Sequence, residues 1–270
     1  SNFDFIEKMS GMDIPEEIKK ELNDLKGISS MVFVSFEKGE VKANSKMYYA
    51  SSDVEKKYKE LTEQLTGNIN GDQLKYIQGN PLFFVSGNLK GEGIYGYLTK
   101  LGLMSKLERE FSNEDLGIDL KTIFGHFTGD MTFSLRDIDK VKKSYSWGDE
   151  VHEYDSTEPM IAFMAEVKDG SALLKLITQK MEEFEENMDE FKIDDNTYKN
   201  VSDGMTYYFG LKDNNMYVTN DELFFKNLSS SDLKNEYSGM AKNNVFVLGG
   251  SLDNVKGMIM EEVRDESISG

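Results

Sequence analysis

Asn80-Pro81-Leu82-Phe83-Phe84-Val85-Ser86-Gly87-Asn88-Leu89 is the stretch that decides the predicted fold. A related stretch, Asn243–Leu252 (NNVFVLGGSL), follows 163 positions later with no change of spacing. A short, nearly continuous apolar run closed by Gly is typical of a strand buried on both faces, in the centre of a sheet. We therefore predict a diverged duplication built on two central strands, with Phe83 and Phe246 buried in them.

The segments around these two stretches predict hairpins and amphipathic helices. One hairpin is expected around residues 37–40 and another around residues 212–215, and Ser52 begins a capping-box helix. This arrangement predicts an α+β fold of internally duplicated antiparallel sheet units, with helices packed on one face. We expect a first, shorter unit over residues 1–101 and a second over residues 102–270, which carries an inserted strand–helix arm at 160–191.

The composition of the 270-residue chain argues against several partners and cofactors. With 31 basic and 49 acidic residues the net charge is −18, which disfavours binding to nucleic acids and to anionic membrane surfaces. The absence of cysteine removes disulfides, thiolate catalysis and Cys-ligated metals. Only two histidines are present, in no zinc-binding pattern. We predict neither a metal nor another cofactor.

The remaining sequence motifs are more typical of structural roles than of nucleotide binding or catalysis. Gly91–Gly96 fits G-x-G-x-x-G, but the preceding strand is expected to end near Val85, too far away for a dinucleotide-binding turn. His126, between phenylalanines, is expected to be packed or to cap a helix, and His152 to be solvated. No G-x-S-x-G elbow supports a Ser-His-Asp triad, although the sequence alone leaves such a triad open.

A polar segment without core periodicity, Tyr145–Glu158, holds the only tryptophan of the chain. Aromatic residues in a polar loop are typical of recognition surfaces. Tyr145, Trp147 and Tyr154 are therefore the candidate partner-binding residues, projecting from the sheet. The alternative is a hairpin whose aromatic residues fold back on the body of the protein.

Leu116-Gly117-Ile118-Asp119-Leu120 is followed by Phe127-Thr128-Gly129-Asp130, a strand–helix arm, a hairpin and an N-x-[LV]-F-[FV]-[VL]-x-G-x-L strand. This layout resembles an uncharacterised family of Bacteroidetes-type exported lipoproteins that carry a domain of unknown function. The resemblance implies a cell-envelope location outside the cytoplasm, with a lipid anchor upstream of this segment. It transfers no catalytic or binding residue.

These observations favour a non-enzymatic cell-envelope protein that binds an unknown protein or glycan partner through its surface. Its contact with a membrane would be through the lipid anchor alone. The alternative function is a hydrolase with an unrecognised carboxylate or Ser site. A deep pocket with converging acids and a buried His126 would favour the hydrolase, and an exposed aromatic segment would favour binding.

Overall fold

The computed structural model describes residues 16–24, 26–37, 40–111, 119–147, 150–182, 191–202, 205–230, 233, 236–258 and 260. Helices and antiparallel strands are mixed along the chain, which confirms the predicted α+β class. Within these residues, no helix has the length and apolar character needed to cross a membrane. The elements, in chain order, are α1 (Glu16–Asp24), β1 (Ile28–Glu37), β2 (Glu40–Tyr49), α2 (Ser52–Leu65), β3 (Thr66–Gly67), a 3₁₀ turn (Asp72–Tyr76), β4 (Phe83–Leu89), α3 (Gly91–Lys100), α4 (Met104–Phe111), α5 (Leu120–His126), β5 (Phe127–Trp147), β6 (Glu150–Val167), α6 (Gly170–Glu182), β7 (Lys192–Asp194), β8 (Thr197–Ser202), β9 (Met205–Lys212), β10 (Asn215–Thr219), α7 (Glu222–Asn227), α8 (Glu236–Ala241) and β11 (Phe246–Gly249).

The chain divides into two compact units. The first comprises residues 1–65 and 93–120, and the second comprises residues 66–92 and 121–270. The boundary predicted from sequence, between residues 101 and 102, falls inside the second segment of the first unit.

The first unit combines the β1–β2 hairpin with helices α1, α2, α4 and most of α3. The hairpin pairs in continuous register from Ile28↔Tyr49 to Glu37↔Glu40, as the turn signal predicts. Glu21 of α1 is buried and forms ion pairs with Lys57 and Lys100. A buried carboxylate is tolerated when cations neutralise it, so these two lysines stabilise the packing of the helices.

The second unit is built on a sheet of nine strands in the described residues, with the order β11-β4-β5-β6-β10-β9-β8-β7 and β3 beside β4. One face is closed by the 3₁₀ turn, α7 and α8. Its core contains the following buried residues: Ile69, Leu74, Tyr76, Ile77, Phe84, Ala162, Met164, Tyr217, Phe224, Leu228 and Ala241.

The opposite face of this sheet is covered at one end by α6. Leu173 of α6 packs against Val167 and Met216, which lie on that face. Helices therefore lie against both faces, where the sequence predicted helices on one face only. The strand and helix of the predicted arm are the end of β6 and α6, and residues 183–190 of the arm lie outside the described residues.

The prediction of two equivalent central strands is wrong for the second stretch. β4 lies inside the sheet, between β11 and β5, whereas β11 forms the edge of the sheet in the described part of the chain and pairs directly with β4. The side chain of Phe246 is 61% exposed. Phe83 is also exposed, and the buried aromatic residue of β4 is its neighbour Phe84. An apolar run thus forms a strand in both places, but the duplication is not confirmed.

Candidate functional site

The site predicted in a loop lies on an ordered two-stranded ribbon. β5 pairs with β4 up to Leu135, and β6 pairs with β10 from Ala162 onward. Outside those limits, residues 137–147 and 150–160 pair only with each other among the described strands. We call these residues the ribbon. At about 3.3 Å per residue it extends about 35 Å. The prediction of a loop or loose hairpin is thereby corrected to a continuous ribbon.

Opposite charges on the two strands explain why so polar a segment forms a ribbon. β5 contributes Lys140, Lys142 and Lys143, and the facing strand is rich in acids. Lys142 lies directly opposite Asp155, and Lys143 Nζ lies 3.0 Å from Glu158 Oε1. Cross-strand pairs of this kind stabilise antiparallel strands. The ribbon could have been predicted from the sequence by one signal, a basic run that is followed after one turn by an acidic run.

The root of the ribbon is the place where its two strands leave the sheet. On β5 this place is fixed by a bulge. The register shifts between Leu135 and Asp137, which leaves Arg136 as the extra residue. Arg136 Nε donates to Asp221 Oδ2 at 2.9 Å, and the backbone O of Arg136 accepts from Leu82 N. Asp221 Oδ1 also accepts from Leu223 N and Phe224 N at the start of α7. The bulge is therefore tied to a capped helix.

The β6 root of the ribbon is held by two side chains at the end of β10. Asn220 accepts from Ile161 N through Oδ1 at 2.8 Å and donates from Nδ2 to Pro159 O at 2.8 Å. Thr219 Oγ1 donates to Ile161 O at 2.7 Å. With both strands bonded at the root, the ribbon emerges from the sheet in a defined direction. A shallow recess of about 370 Å³ lies here, lined by Arg136, Asp139, Glu158, Met160, Met205, Thr206, Asn220 and Glu222.

The register places the three predicted site positions on one face of the ribbon. Tyr145 is opposite His152, Trp147 is opposite Glu150, and Lys143 is opposite Tyr154. Because alternate residues of a strand share a face, positions 145, 147 and 154 belong to the same face, together with position 152. The side chain of Tyr154 is 47% exposed. Those of Tyr145 and Trp147 lie outside the described part.

The histidines take the places that the sequence suggests for structural residues. His126 ends α5, and its Nδ1 is buried without a hydrogen-bond partner in the described residues. His152 is exposed on the ribbon. In the described ranges no three His, Asp or Glu side chains are grouped so that they could hold a metal ion. The positions of the two histidines therefore provide no specific support for the alternative that the protein is a hydrolase.

The Gly91–Gly96 motif follows β4 closely, since the strand ends at Leu89 and not near Val85 as the sequence predicted, but its first two glycines serve helix packing. It forms the start of α3, where a Cβ on Gly91 would collide with the backbone O of Phe124. A Cβ on Gly93 would likewise collide with the backbone O of Gln64. The first two glycines of the motif are therefore required for close approach of backbone to backbone, a role that needs no nucleotide.

A second recess, of about 490 Å³, has acids with structural partners. Asp194 Oδ1 accepts from Asn196 N at 2.8 Å, and Asp195 pairs with Lys192 at 3.0 Å. Asp213 accepts from Tyr76 Oη at 3.3 Å. Burial, reinforced by the charge of Asp213, raises the pKa of Tyr76 to about 12. These carboxylates shape turns and hold a core tyrosine in place.

Comparison with known proteins places the chain among proteins without an assigned activity. A family model described as Domain of unknown function (DUF4836) matches residues 3–244. Neither the curated proteins nor the solved structures contain a match. The matched range includes the whole ribbon and ends before β11 begins at Phe246. It confirms the domain of unknown function that the sequence resemblance implies.

Proposed function

The chain belongs to the family defined by the domain of unknown function DUF4836, and on that premise we propose that it is a non-enzymatic protein that binds a partner through the ribbon. The observation that carries the proposal is the register of the ribbon, which gathers Tyr145, Trp147 and Tyr154 on one face. Tyrosine and tryptophan offer large contact area with few rotatable bonds, so such a face suits recognition.

The chemistry of the ribbon indicates the class of partner. Glu150 lies opposite Trp147 on the aromatic face, and Glu153 and Asp155 border that face from the other side of the ribbon. Residues 151–155 are all exposed. Carboxylates beside aromatic rings favour a partner with basic or hydroxyl groups, such as a lysine-rich protein segment or a glycan. The fixed root supports the proposal, since a rigid support lowers the entropic cost of binding.

The proposed location is the cell envelope, outside the cytoplasm, with a lipid anchor upstream of Ser1. This part of the proposal rests on the resemblance to exported lipoproteins. Fractionation of cells that express the native gene, with palmitate labelling, tests it. We expect the protein in the membrane fraction and labelled; unlabelled protein in the cytoplasmic fraction would contradict the location.

Replacement of the aromatic face should abolish binding while the fold is retained. We expect the wild-type chain to bind a subset of probes on arrays of basic peptides and bacterial glycans. The triple variant Tyr145→Ser, Trp147→Ser, Tyr154→Ser should lose at least tenfold in affinity, because the stacking area is removed. Biolayer interferometry on the probes selected from the arrays measures the difference.

The matched control is Val151→Ser on the same ribbon. Val151 is 68% exposed and lies opposite Ser146, which places it on the other face of the ribbon. Its substitution should leave affinity within twofold of wild type. Binding that survives the triple variant, or that Val151→Ser weakens equally, would contradict recognition by the aromatic face.

A further inference from the structure

The face of the nine-stranded sheet opposite the 3₁₀ turn carries an apolar row that crosses seven strands. Each member is the directly paired neighbour of the next in the register of the sheet. Directly opposite residues of antiparallel strands share a face, so the row is continuous. Its members, from β11 to β8, are Leu248, Val85, Phe133, Phe163, Val218, Phe209 and Tyr198.

Much of this row is open to solvent. Leu248 is 67% exposed, Val218 45% and Phe163 38%. Beside the row, Phe246 and Phe83 are exposed on the same face. A sheet face that remains in water normally alternates polar residues outward, and no member of this row is charged or strongly polar. An apolar row of this kind is typical of a sheet face that another layer covers.

The size of the row approaches that of a protein interface. Seven strands spaced about 4.8 Å apart give a width of about 29 Å. With the exposed fractions above and the neighbouring phenylalanines, the apolar surface open to solvent is on the order of 500 Å². This is close to the apolar share, roughly 65%, of a homodimer interface of standard size. A stable protein–protein interface buries about 800 Å² on each partner. Single exposed hydrophobic residues need no explanation, but a continuous patch of this area does.

We propose that a second copy of this chain covers this row, sheet against sheet, in a two-fold symmetric dimer. An uncharged sheet surface about 29 Å wide, beside the end that α6 covers, is matched by the face of another sheet, and sheets pack at about 10 Å with interleaved side chains. In a two-fold dimer the same patch of both copies forms the interface, so the apolar row of one copy packs against the identical apolar row of the other. The pairing also covers the exposed side chains of Phe246 and Leu248 on β11.

The charge of the protein gives this dimer a distinctive salt dependence. Each copy carries a net charge of −18, so two copies repel at low ionic strength. Because the row itself is uncharged, screening removes the repulsion without weakening the contact. The dimer is expected to strengthen with added salt.

Sedimentation velocity of the whole chain at several protein concentrations, in 20 mM and 500 mM sodium chloride, tests the proposal. We expect a monomer–dimer equilibrium whose dissociation constant falls at least fivefold in the higher salt. Phe163→Asp and Leu248→Asp should each weaken dimerisation at least tenfold. Leu248 is mostly exposed on an edge strand, so its variant keeps the test valid even if Phe163→Asp unfolds the chain.

Val201→Asp is the matched control. Val201 is 59% exposed on β8 and is paired with Thr206, which places it on the opposite face from Tyr198. Its variant should dimerise as wild type does. A wild-type chain that is monomeric at every concentration and salt would overturn the proposal. So would a dimer that persists in Leu248→Asp, or one that Val201→Asp disrupts equally.

Discussion

Replacing Asp130 with Ala should lower the free energy of unfolding by about 4 kcal/mol, because it removes the acceptor shared by one buried and one partly buried backbone donor. Asp130 is fully buried on the closed face of the sheet. Its Oδ2 accepts from Asn70 N at 2.9 Å and from Gly71 N at 3.1 Å, and its Oδ1 accepts from Asn88 Nδ2 at 2.9 Å. The carboxylate thereby ties the loop before the 3₁₀ turn to β4 and β5.

Urea unfolding followed by circular dichroism measures this effect. Asp139→Ala, an exposed aspartate on the same strand, is the control and should change stability by less than about 0.5 kcal/mol. Asp130→Asn should lie between the two, since its amide oxygen can still accept from one or both backbone groups. A loss below about 1 kcal/mol in Asp130→Ala would show that the loop does not depend on this carboxylate.

Phe84→Ala should cost about 4 kcal/mol, whereas Phe83→Ala should cost about 1 kcal/mol or less. Phe84 is 1% exposed and packs with Leu74, Ile77 and Ala241; its ring centroid lies 4.7 Å from that of Tyr237. Phe83 is exposed on the opposite face. The two neighbours thus form a matched pair that differs in burial alone.

Thermal and urea unfolding of dilute protein, below the concentration at which copies associate, compares the two variants. Equal costs at both positions would contradict the assignment of faces in β4. The comparison also tests the correction made by the structure, in which Phe84 and not Phe83 is the buried aromatic residue of β4.

Local signals in the sequence predicted what depends on neighbours along the chain. The α+β class, the β1–β2 and β9–β10 hairpins and the helix that begins at Ser52 follow from turn chemistry and periodicity, and the structure has them. The exposure of β11 could not be predicted this way, because an apolar run does not reveal whether a covering layer exists. Periodicity also failed on the ribbon, where charge pairs across the strands replace apolar alternation.

Long-range polar contacts were equally out of reach. Nothing in the sequence around Asp130 indicates that its carboxylate accepts hydrogen bonds from backbone groups. The two backbone N–H groups that donate to it lie about 60 residues away in the chain. Arg136 and Asp221 are separated by 85 positions, and only the fold shows that they fix the root of the ribbon. The candidate residues Tyr145, Trp147 and Tyr154 were identifiable because aromatic residues are unusual in a polar stretch, but their common face requires the register.

Fluorescence of Trp147, the only tryptophan of the chain, tests the recognition surface most directly. An aromatic face presented to a partner requires an exposed indole near the tip of the ribbon. We expect red-shifted emission that acrylamide quenches readily. Iodide should quench it less, because iodide is an anion and the acidic residues Asp149, Glu150 and Glu153 lie close to Trp147 in the sequence. Blue-shifted emission that resists acrylamide would place Trp147 in an apolar interior and contradict the ribbon as the binding surface.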